Sequence, residues 1–328
     1  MDLKIFAHES SGYLARDISR YIAKDTRFKN PLGVLNYKEF ADGEMRPQFG
    51  ENIRNKDIFI VQSTNPPAEK NIFRLCLMID AAKRASADRV TAVIPYYGYG
   101  RQDRKDRPRV PISAEIVARL IQSAGADRIL AMDLHATGIE GFFKIPVDHL
   151  YARPVLLKWV REHFPGQKFV LIAPDSGAVN RARGFAKRLD ANIVVVDKER
   201  LIDNEATVNA VVGDVGPDDT ALLADDMIDT GGTLIKVAQV LRDERGVRRV
   251  LAVATHGLFS GNAHVALDKS CIQQIVTTDT IQNTPQTSPP MLAQCFDNKF
   301  TTVSVAELFG EAITRIHTDE GSISELFE

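Results

Sequence analysis

Short apolar runs alternate with amphipathic segments along almost the whole chain. The apolar runs predict strands at 57–63, 89–95, 128–133, 168–173, 192–197, 220–225, 249–255 and 274–279. Between them, apolar residues recur every three or four positions, which predicts helices over 71–85, 113–124, 180–190 and 233–245. Ser113 is a predicted helix N-cap, and Gly125 and Gly246 are predicted glycine stops.

The apolar strands predict an α/β fold, because strands without polar alternation are typical of parallel sheets covered by helices on both faces. Segments 125–135 and 246–256 share a Gly, an Arg, a strand and a final His. Any helix-to-strand junction can produce this pattern, and so can a repeated domain. Because 328 residues are enough for two cores, we expect two similar domains, each a mainly parallel sheet flanked by helices. The Pro-containing, strand-poor stretch 146–155 is the predicted boundary.

Composition and net charge disfavour several classes of protein. The net charge of −2 gives no global reason to expect binding to nucleic acid or to a membrane. Three widely spaced cysteines without a CxxC pair predict neither a disulfide framework nor a zinc site. The first residues do not resemble a signal peptide, and no apolar run approaches the roughly 18 residues of a membrane span. We therefore expect a soluble, cytoplasmic protein.

The most informative stretch is 220–233 (TALLADDMIDTGGT), in which an apolar run ends at carboxylates and a glycine turn leads into a helical pattern. Backbone N–H groups in such a turn attract phosphate. No Walker A lysine lies in 225–233, so a sugar phosphate suits the loop better than a triphosphate, with the carboxylates on a diol or hydrated Mg²⁺. A plain acidic strand end before a capped turn is the alternative. The predicted site residues are Asp225, Asp226, Asp229, Thr230, Gly231, Gly232 and Thr233.

This loop resembles the phosphoribosyl-binding motif of the type I phosphoribosyltransferase superfamily, whose members either use or make phosphoribosyl pyrophosphate. Further segments resemble the ribose-phosphate pyrophosphokinase family; they are 40–64, 93–115, 132–143, 173–183, 195–200 and 254–263. A phosphoribosyltransferase would lack the RQDRKDR and MDLH segments among them. The resemblance implies type I phosphoribosyltransferase-like domains at 1–150 and 151–307, with a C-terminal helix at 308–328 that packs back on the first. It implies transfer of pyrophosphate from ATP to ribose 5-phosphate.

The basic run 101–107 follows an aromatic segment, and by itself it could be a solvated loop or a nucleic-acid patch. The resemblance implies that Arg101 and Gln102 bind ATP, which suits the affinity of guanidinium groups for polyphosphate. It further implies that His135 coordinates the Mg²⁺ on ATP and that Asp175 contributes to the metal or ribose site. The histidines expected at the surface are His163, His264 and His317.

Lys198 and Arg200 follow the predicted strand 192–197 and could be no more than a basic strand end. The resemblance implies a catalytic loop in which both stabilise the transferring pyrophosphoryl group, since such transfer relies on charge neutralisation. KER stands here where many relatives have KRRPR, so only the first and third positions carry over.

The sequence FADGE at 40–44 predicts a hairpin turn. In the family this hairpin reaches into a neighbouring subunit, where the Phe stacks on adenine. The resemblance therefore implies that Phe40, Asp42 and Glu44 contact ATP bound to another chain. A homo-oligomer is then expected, with a hexamer built from dimers as its form.

Departures from the family pattern fall in segments that build the family's site for phosphate activation and ADP inhibition. Glu140 stands where relatives have Gln, and His149 stands where they have Asn. A carboxylate beside a bound phosphate is repelled by at least about 1 kcal/mol. Regulation is therefore expected to be weakened or altered. The candidate regulatory residues are Arg104, Glu140, Ser322 and Ser324.

Three rival functions stay open at this point. A phosphoribosyltransferase would consume the diphosphate without ATP. A catalytically silent regulatory subunit should have lost part of the machinery, whereas Lys198, Arg200, His135 and the 225–233 loop are all intact. A nucleic-acid binder using 101–109 is disfavoured by the net charge.

Overall fold

The computed structural model describes residues 2–174, 178–202, 205–283 and 299–327, and the side chains of 197–210 lie outside this description. The chain divides into two compact units. Unit 1 consists of Met1–Tyr151, Thr280–Gln282 and Val305–Glu328. Unit 2 consists of Ala152–Asp279 and Asn283–Ser304.

Unit 1 is built on a five-stranded parallel sheet in the order β1-β4-β5-β6-β7. Its strands are β1 (Leu3–Ala7), β4 (Asp57–Val61), β5 (Arg89–Ile94), β6 (Arg128–Met132) and β7 (Val147–Leu150). A separate antiparallel hairpin joins β2 (Leu35–Glu39) to β3 (Met45–Phe49). Every side chain of β4 is buried, because helices cover both faces of this sheet. The helices are α1 (Gly12–Ile22), α2 (Ala68–Arg84), α3 (Ser113–Ser123) and α8 (Ala306–Thr318).

Helix α8 belongs to unit 1 and packs on α1 through the buried side chains of Phe309, Ile313 and Ile316. A buried ion cluster also ties it to the sheet. Arg89 donates to Asp57 from Nε at 2.9 Å and from Nη2 at 2.5 Å, and its Nη2 also donates to the carbonyl of Ile316 at 2.9 Å. His317 Nδ1 lies 2.7 Å from Asp57 Oδ2. The cluster therefore joins two strands to the end of α8.

Unit 2 is built on a seven-stranded sheet in the order β10-β9-β8-β11-β12-β13-β14. The described strand pairs are parallel except for β9 and β10. Its strands are β8 (Phe169–Ala173), β9 (Asn192–Ile202), β10 (Glu205–Val212), β11 (Thr220–Ile228), β12 (Arg249–Gly257), β13 (Gln274–Thr278) and β14 (Phe300–Val303). Its helices are α4 (Arg153–His163), α5 (Val179–Leu189), α6 (Gly232–Arg245) and α7 (Ala263–Asp268).

The predicted α/β architecture with two mainly parallel sheets is confirmed. Gly125 (φ 107°) and Gly246 (φ 68°) end α3 and α6 in the left-handed region, as predicted. Ser113 was wrongly predicted as an N-cap, since it is the first residue of α3 and its hydroxyl hydrogen-bonds to the side chain of Gln102. Among the described helices, none combines the length and the apolar character that crossing a bilayer requires.

Of the histidines predicted at the surface, His264 is buried and His317 is largely covered. His317 belongs to the ion cluster around Asp57, and its side chain is 11% exposed. His264 packs between the rings of Phe259 and Phe300, at centroid distances of 4.3 and 5.1 Å. The prediction failed because a lone polar residue in an amphipathic helix does not reveal which tertiary partner covers it.

The Asp57 cluster generates a stability prediction. Burial alone would raise the pKa of Asp57, but hydrogen bonds from Arg89 and His317 outweigh it and hold the pKa below its usual value. Asp57→Asn should therefore lower the free energy of unfolding by about 3 kcal/mol at pH 7, because it leaves the partly buried Arg89 guanidinium group without its carboxylate partner. Since the folded pKa is the lower one, this stabilisation is present above the unfolded pKa of about 3.9 and is lost as pH falls below it.

Chemical denaturation from pH 3 to pH 7 measures both effects. Asp80→Asn is the matched control, because it removes an exposed partner of Arg84 at 2.7 Å and should leave the unfolding curve unchanged. An equal loss in the two variants would contradict the prediction.

Candidate functional site

The acidic loop of unit 2 starts inside a strand rather than after one. Strand β11 extends to Ile228, further than predicted, and Asp225 pairs with Ala254 in the register of β12. The carboxylates at 225 and 226 therefore project from a rigid strand near the carboxyl edge of a parallel sheet, where ligands of such sheets bind. Asp226 is buried, with 3% of its surface exposed.

The turn that follows requires glycine at one position of its glycine pair. Gly231 is the N-cap of α6 with φ 75°, and a Cβ atom there would lie 2.8 Å from Leu267 Cγ. Gly232 is exposed, and a Cβ atom at that position would have Thr230 Oγ1, at 3.8 Å, as its nearest neighbour. Glycine at an N-cap has no side-chain acceptor, so the N–H groups of the first turn can receive an anion beside the hydroxyls of Thr230 and Thr233.

One guanidinium group joins the two carboxylates of the loop. Arg181, from the first turn of α5, lies 2.8 Å from Asp225 Oδ1 and 3.3 Å from Asp226 Oδ1. The backbone N–H of Asp226 also donates to Asp225 Oδ1 at 2.9 Å. Burial and the neighbouring Asp226 charge raise the pKa of Asp225 to about 7, and Arg181 opposes this rise. A hydroxyl donor or a cation placed beside Asp225 would therefore stabilise its ionised form.

Arg181 was not among the predicted site residues. It lies in the segment APDSGAVNRAR, directly after a strand that ends at the ligand-binding edge. Its position in the sequence could have predicted a site residue, because the first turn of a helix that follows such a strand lies beside the same edge of the sheet.

In unit 1, strands β4, β5 and β6 end at one edge, and the loops that follow them lie close together. The N–H of Gly98 donates to Thr64 Oγ1 at 2.7 Å, and a Cβ atom at Gly98 would lie 2.3 Å from the Thr64 carbonyl oxygen. A Cβ atom at Gly100 would lie 3.5 Å from His135 Cβ. The structure thus brings the start of the arginine-rich loop next to His135, and the side chains of Arg101, Gln102 and His135 are all exposed.

The hairpin residues lie at the tip between β2 and β3. The N–H of Phe40 donates to the Glu44 carbonyl at 2.8 Å, and the N–H of Glu44 donates to Asp42 Oδ1 at 3.0 Å. The Lys38 ammonium lies 4.9 Å from the centroid of the Phe40 ring, which is still 37% exposed. The tip is therefore an ordered turn that presents an aromatic ring outside the core of unit 1.

The candidate regulatory residues make different contacts in the structure. Ser322 Oγ lies 2.7 Å from Ser324 Oγ, and Arg315 donates to the Ser322 carbonyl at 2.5 Å. Glu140 instead interacts with His149, whose Nδ1 is 2.6 Å from Glu140 Oε1. Arg104 is exposed in the arginine-rich loop.

Three predicted residues fall wholly or partly outside the described residues. Asp175 is one of them. Lys198 and Arg200 were predicted to follow a strand, but their backbone lies within β9, paired with Val208 and Ala206 of β10, and their side chains are not described. Within the described residues, no group of three His, Cys, Asp or Glu side chains is arranged to hold a metal ion.

Comparison with known proteins gives one consistent family. Family models match residues 3–125 as the N-terminal domain of ribose phosphate pyrophosphokinase and residues 199–328 as the phosphoribosyl synthetase-associated domain. The chain is 44% identical to the ribose-phosphate pyrophosphokinase of Rhizobium meliloti (strain 1021) and 45% identical to that of Agrobacterium fabrum. Both alignments cover 99% of this chain and 100% of the relative.

A solved structure agrees with these relatives. The crystal structure of phosphoribosylpyrophosphate synthetase from Mycobacterium smegmatis matches with a TM-score of 0.86 at 36% sequence identity. The match covers 98% of this chain and 100% of that chain.

The geometry of the glycine pair predicts different effects of two neighbouring substitutions on stability. Gly231→Ala should lower the free energy of unfolding by about 2 kcal/mol, because it combines a left-handed backbone with overpacking against Leu267. Gly232→Ala should cause no loss, since its Cβ enters open space at a helix start. Thermal and chemical unfolding measure the difference, and equal stabilities of the two variants would contradict the assigned turn geometry.

Proposed function

The chain belongs to the ribose-phosphate pyrophosphokinase family, and from this premise we propose that it transfers pyrophosphate from ATP to the C1 hydroxyl of ribose 5-phosphate. The products are 5-phosphoribosyl 1-diphosphate, a precursor for nucleotide biosynthesis, and AMP. The family resemblance inferred from the motifs is confirmed. The observation that carries the proposal is the carboxylate pair on β11 followed directly by the glycine-capped N-terminus of α6.

This arrangement suits the two ends of ribose 5-phosphate. The phosphate fits the N–H groups at the start of α6 and the hydroxyls of Thr230 and Thr233. The ribose hydroxyls can donate to Asp225 and Asp226, whose mutual repulsion makes added donors favourable. Asp229 lies between the two halves, at the end of β11. The donors for phosphate and the carboxylates for the ribose hydroxyls therefore lie at different positions along one short loop.

The exposed residues of unit 1 suit ATP. Arg101 and Gln102 can bind its phosphates or base, and His135 lies beside the start of the same loop. We assign Mg²⁺ as the cofactor, and the residues that would serve it are His135 in unit 1 and Asp175, which lies outside the described residues, since Mg²⁺ in such sites uses few protein ligands. The raised pKa of Asp225 fits a divalent ion nearby, because added positive charge would favour its ionised form. When bound, Mg²⁺ neutralises polyphosphate charge.

The chemistry requires no protein nucleophile. The C1 hydroxyl oxygen attacks the β-phosphorus of ATP and loses its proton to solvent, the bond from that phosphorus to the α,β-bridging oxygen breaks, and AMP leaves. Negative charge accumulates on the phosphoryl oxygens during this step, and the cationic side chains of Lys198 and Arg200 are assigned to stabilise it. Their role rests on the match of KER at 198–200 to the family pattern.

The assembly and the regulation belong to the same proposal. The exposed ring of Phe40 at the hairpin tip supports contact with ATP on a neighbouring copy, and hence a homo-oligomer, with a hexamer built from dimers as its form. We place the enzyme in the cytoplasm, with no nucleic-acid or membrane partner. Phosphate activation and ADP inhibition are proposed to be weakened or altered, because Glu140 adds a carboxylate to the regulatory region.

Formation of AMP from ATP, Mg²⁺ and ribose 5-phosphate tests the function. Wild-type protein should release AMP only when the sugar phosphate is present, and removing inorganic phosphate should change the rate little. Lys198→Ala should lower kcat at least about a hundredfold while ribose 5-phosphate still binds. Lys187→Ala, on the exposed face of α5, is the matched control and should retain full activity.

The alternative outcomes separate the rival functions. Wild-type protein without AMP formation, but with phosphoribosyl pyrophosphate-dependent consumption of a base, would establish a phosphoribosyltransferase instead. Inactivity in both assays would favour a silent regulatory subunit. Unchanged turnover in Lys198→Ala would remove this residue from the mechanism.

The guanidinium group of Arg181, shared by Asp225 and Asp226, leads to a prediction about how the KM for ribose 5-phosphate depends on pH. Ionised Asp225 is the form that accepts a hydrogen bond from ribose, so the KM for ribose 5-phosphate should fall as pH rises through about 7. Arg181 opposes the raised pKa of Asp225, so Arg181→Gln should move this midpoint to higher pH. The substrate phosphate titrates near pH 6 in both enzymes, so only the difference between them is informative.

The matched control is Arg183→Gln on the same helix, since Arg183 is exposed and bonds to Asn180 at 3.4 Å. This variant should show the wild-type midpoint. A wild-type midpoint in Arg181→Gln would mean that the guanidinium group does not set the charge of Asp225.

A further inference from the structure

The backbone hydrogen bonding between β6 and β7 ends at a defined residue in the turn after β6. Met132 is the last residue of β6 and pairs with Leu150 of β7. The N–H of Asp133 still donates to the Leu150 carbonyl at 2.9 Å, but Asp133 has φ 38° and turns the chain away from the strand. The next N–H, that of Leu134, donates to a side chain, His149 Nε2, at 2.9 Å.

This hydrogen bond fixes which nitrogen of His149 carries the proton. A backbone N–H can only donate, so Nε2 must be the unprotonated acceptor and Nδ1 must carry the hydrogen. Nδ1 lies 2.6 Å from Glu140 Oε1, to which it donates. The imidazole is therefore neutral, and the Glu140 carboxylate holds it in the one tautomer that can accept from Leu134.

The resulting clamp, formed by Leu134, His149 and Glu140, encloses a short segment of chain. Leu134 directly precedes His135, and Glu140 lies in the short helix Thr137–Phe142 that follows it. His149 is 8% exposed, and its ring stacks on Tyr151 at 4.5 Å with an interplanar angle of 30°. Because β7 holds the imidazole in place, the backbone on both sides of His135 is fixed to the sheet.

We propose that Glu140 and His149 are positioning residues that set the backbone turn carrying His135, and so act on ATP binding without touching ATP. The inference rests on the proposed function, in which His135 serves the ATP side. The resemblance implies Gln and Asn where Glu140 and His149 stand here. In this structure the two residues are hydrogen-bonded to each other, so they act as one pair.

Glu140→Ala and Glu140→Gln test the clamp as a pair. Alanine offers no acceptor for Nδ1–H, so His149 should populate both tautomers and the Leu134 amide should exchange with solvent about tenfold faster. Binding of α,β-methylene ATP with Mg²⁺, measured by calorimetry in phosphate-free buffer, should weaken about tenfold. Glutamine keeps an acceptor oxygen, so Glu140→Gln should stay within about twofold of wild type in both measurements.

Nitrogen-15 spectra of His149 and amide exchange are recorded on metal-free protein, so neither depends on catalysis. The Asp133 amide, which bonds to a backbone carbonyl, is the internal reference. Asp148→Asn is the matched control, because it removes the 2.6 Å pair with Arg128 on the same strand and should leave the ratio of Leu134 to Asp133 exchange unchanged.

Identical exchange and tautomer in Glu140→Ala and Glu140→Gln would overturn the clamp. Faster Leu134 exchange with unchanged binding of the ATP analogue would overturn its positioning role. Failure of wild-type protein to form AMP would refute the proposed function alone, because the exchange ratio and the analogue affinity do not require turnover.

Discussion

Both candidate sites depend on one constraint, which is that backbone hydrogen bonding between parallel strands stops where the strands end. Where strands of one sheet stop at a common edge, the next N–H groups have no strand partner and need other acceptors. In unit 1 the N–H of Gly98 uses the Thr64 hydroxyl, and that of Leu134 uses the His149 imidazole. The polar side chains gathered at the edge thus serve the fold first. The backbone that carries His135, a proposed ligand of ATP-bound Mg²⁺, follows directly on one of these bonds.

The carboxylates of Asp57 and Asp225 differ in how well neighbouring groups stabilise their negative charge. Asp57 is fully buried and has hydrogen bonds from Arg89 and His317, so its pKa is lowered and its charge is stabilised. Asp225 shares the guanidinium group of Arg181 with Asp226, and its pKa is raised. The first arrangement is complete without a ligand, whereas the second gains from further donors. This contrast follows from the balance of positive and negative charge around each acid.

Sequence patterns predicted the apolar central strands, because burial on both faces gives a continuous signal. They missed the polar hairpin strands β2 and β3, as well as β7, where Val147–Leu150 lies in a stretch read as strand-poor. Strand β9 also continues past its apolar residues through pairing with β10, which places Lys198 inside a strand. These strands were missed because edge strands are stabilised by backbone pairing more than by burial. The partners of Arg181 and His149 could not be predicted from the sequence, because they are brought together only by the tertiary structure.

Glu140 shows why a departure from a family pattern should be interpreted with its spatial neighbours. Considered alone, it is a carboxylate where the family resemblance implies a neutral amide, and that difference led to the prediction of altered regulation. Considered with His149, it is the acceptor that selects a tautomer. The two interpretations are compatible, because a hydrogen bond from a neutral imidazole orients the carboxylate without cancelling its charge. The proposed effect on regulation through the charge of Glu140 and the proposed effect on the ATP side through the backbone of Leu134 can therefore arise from the same residue.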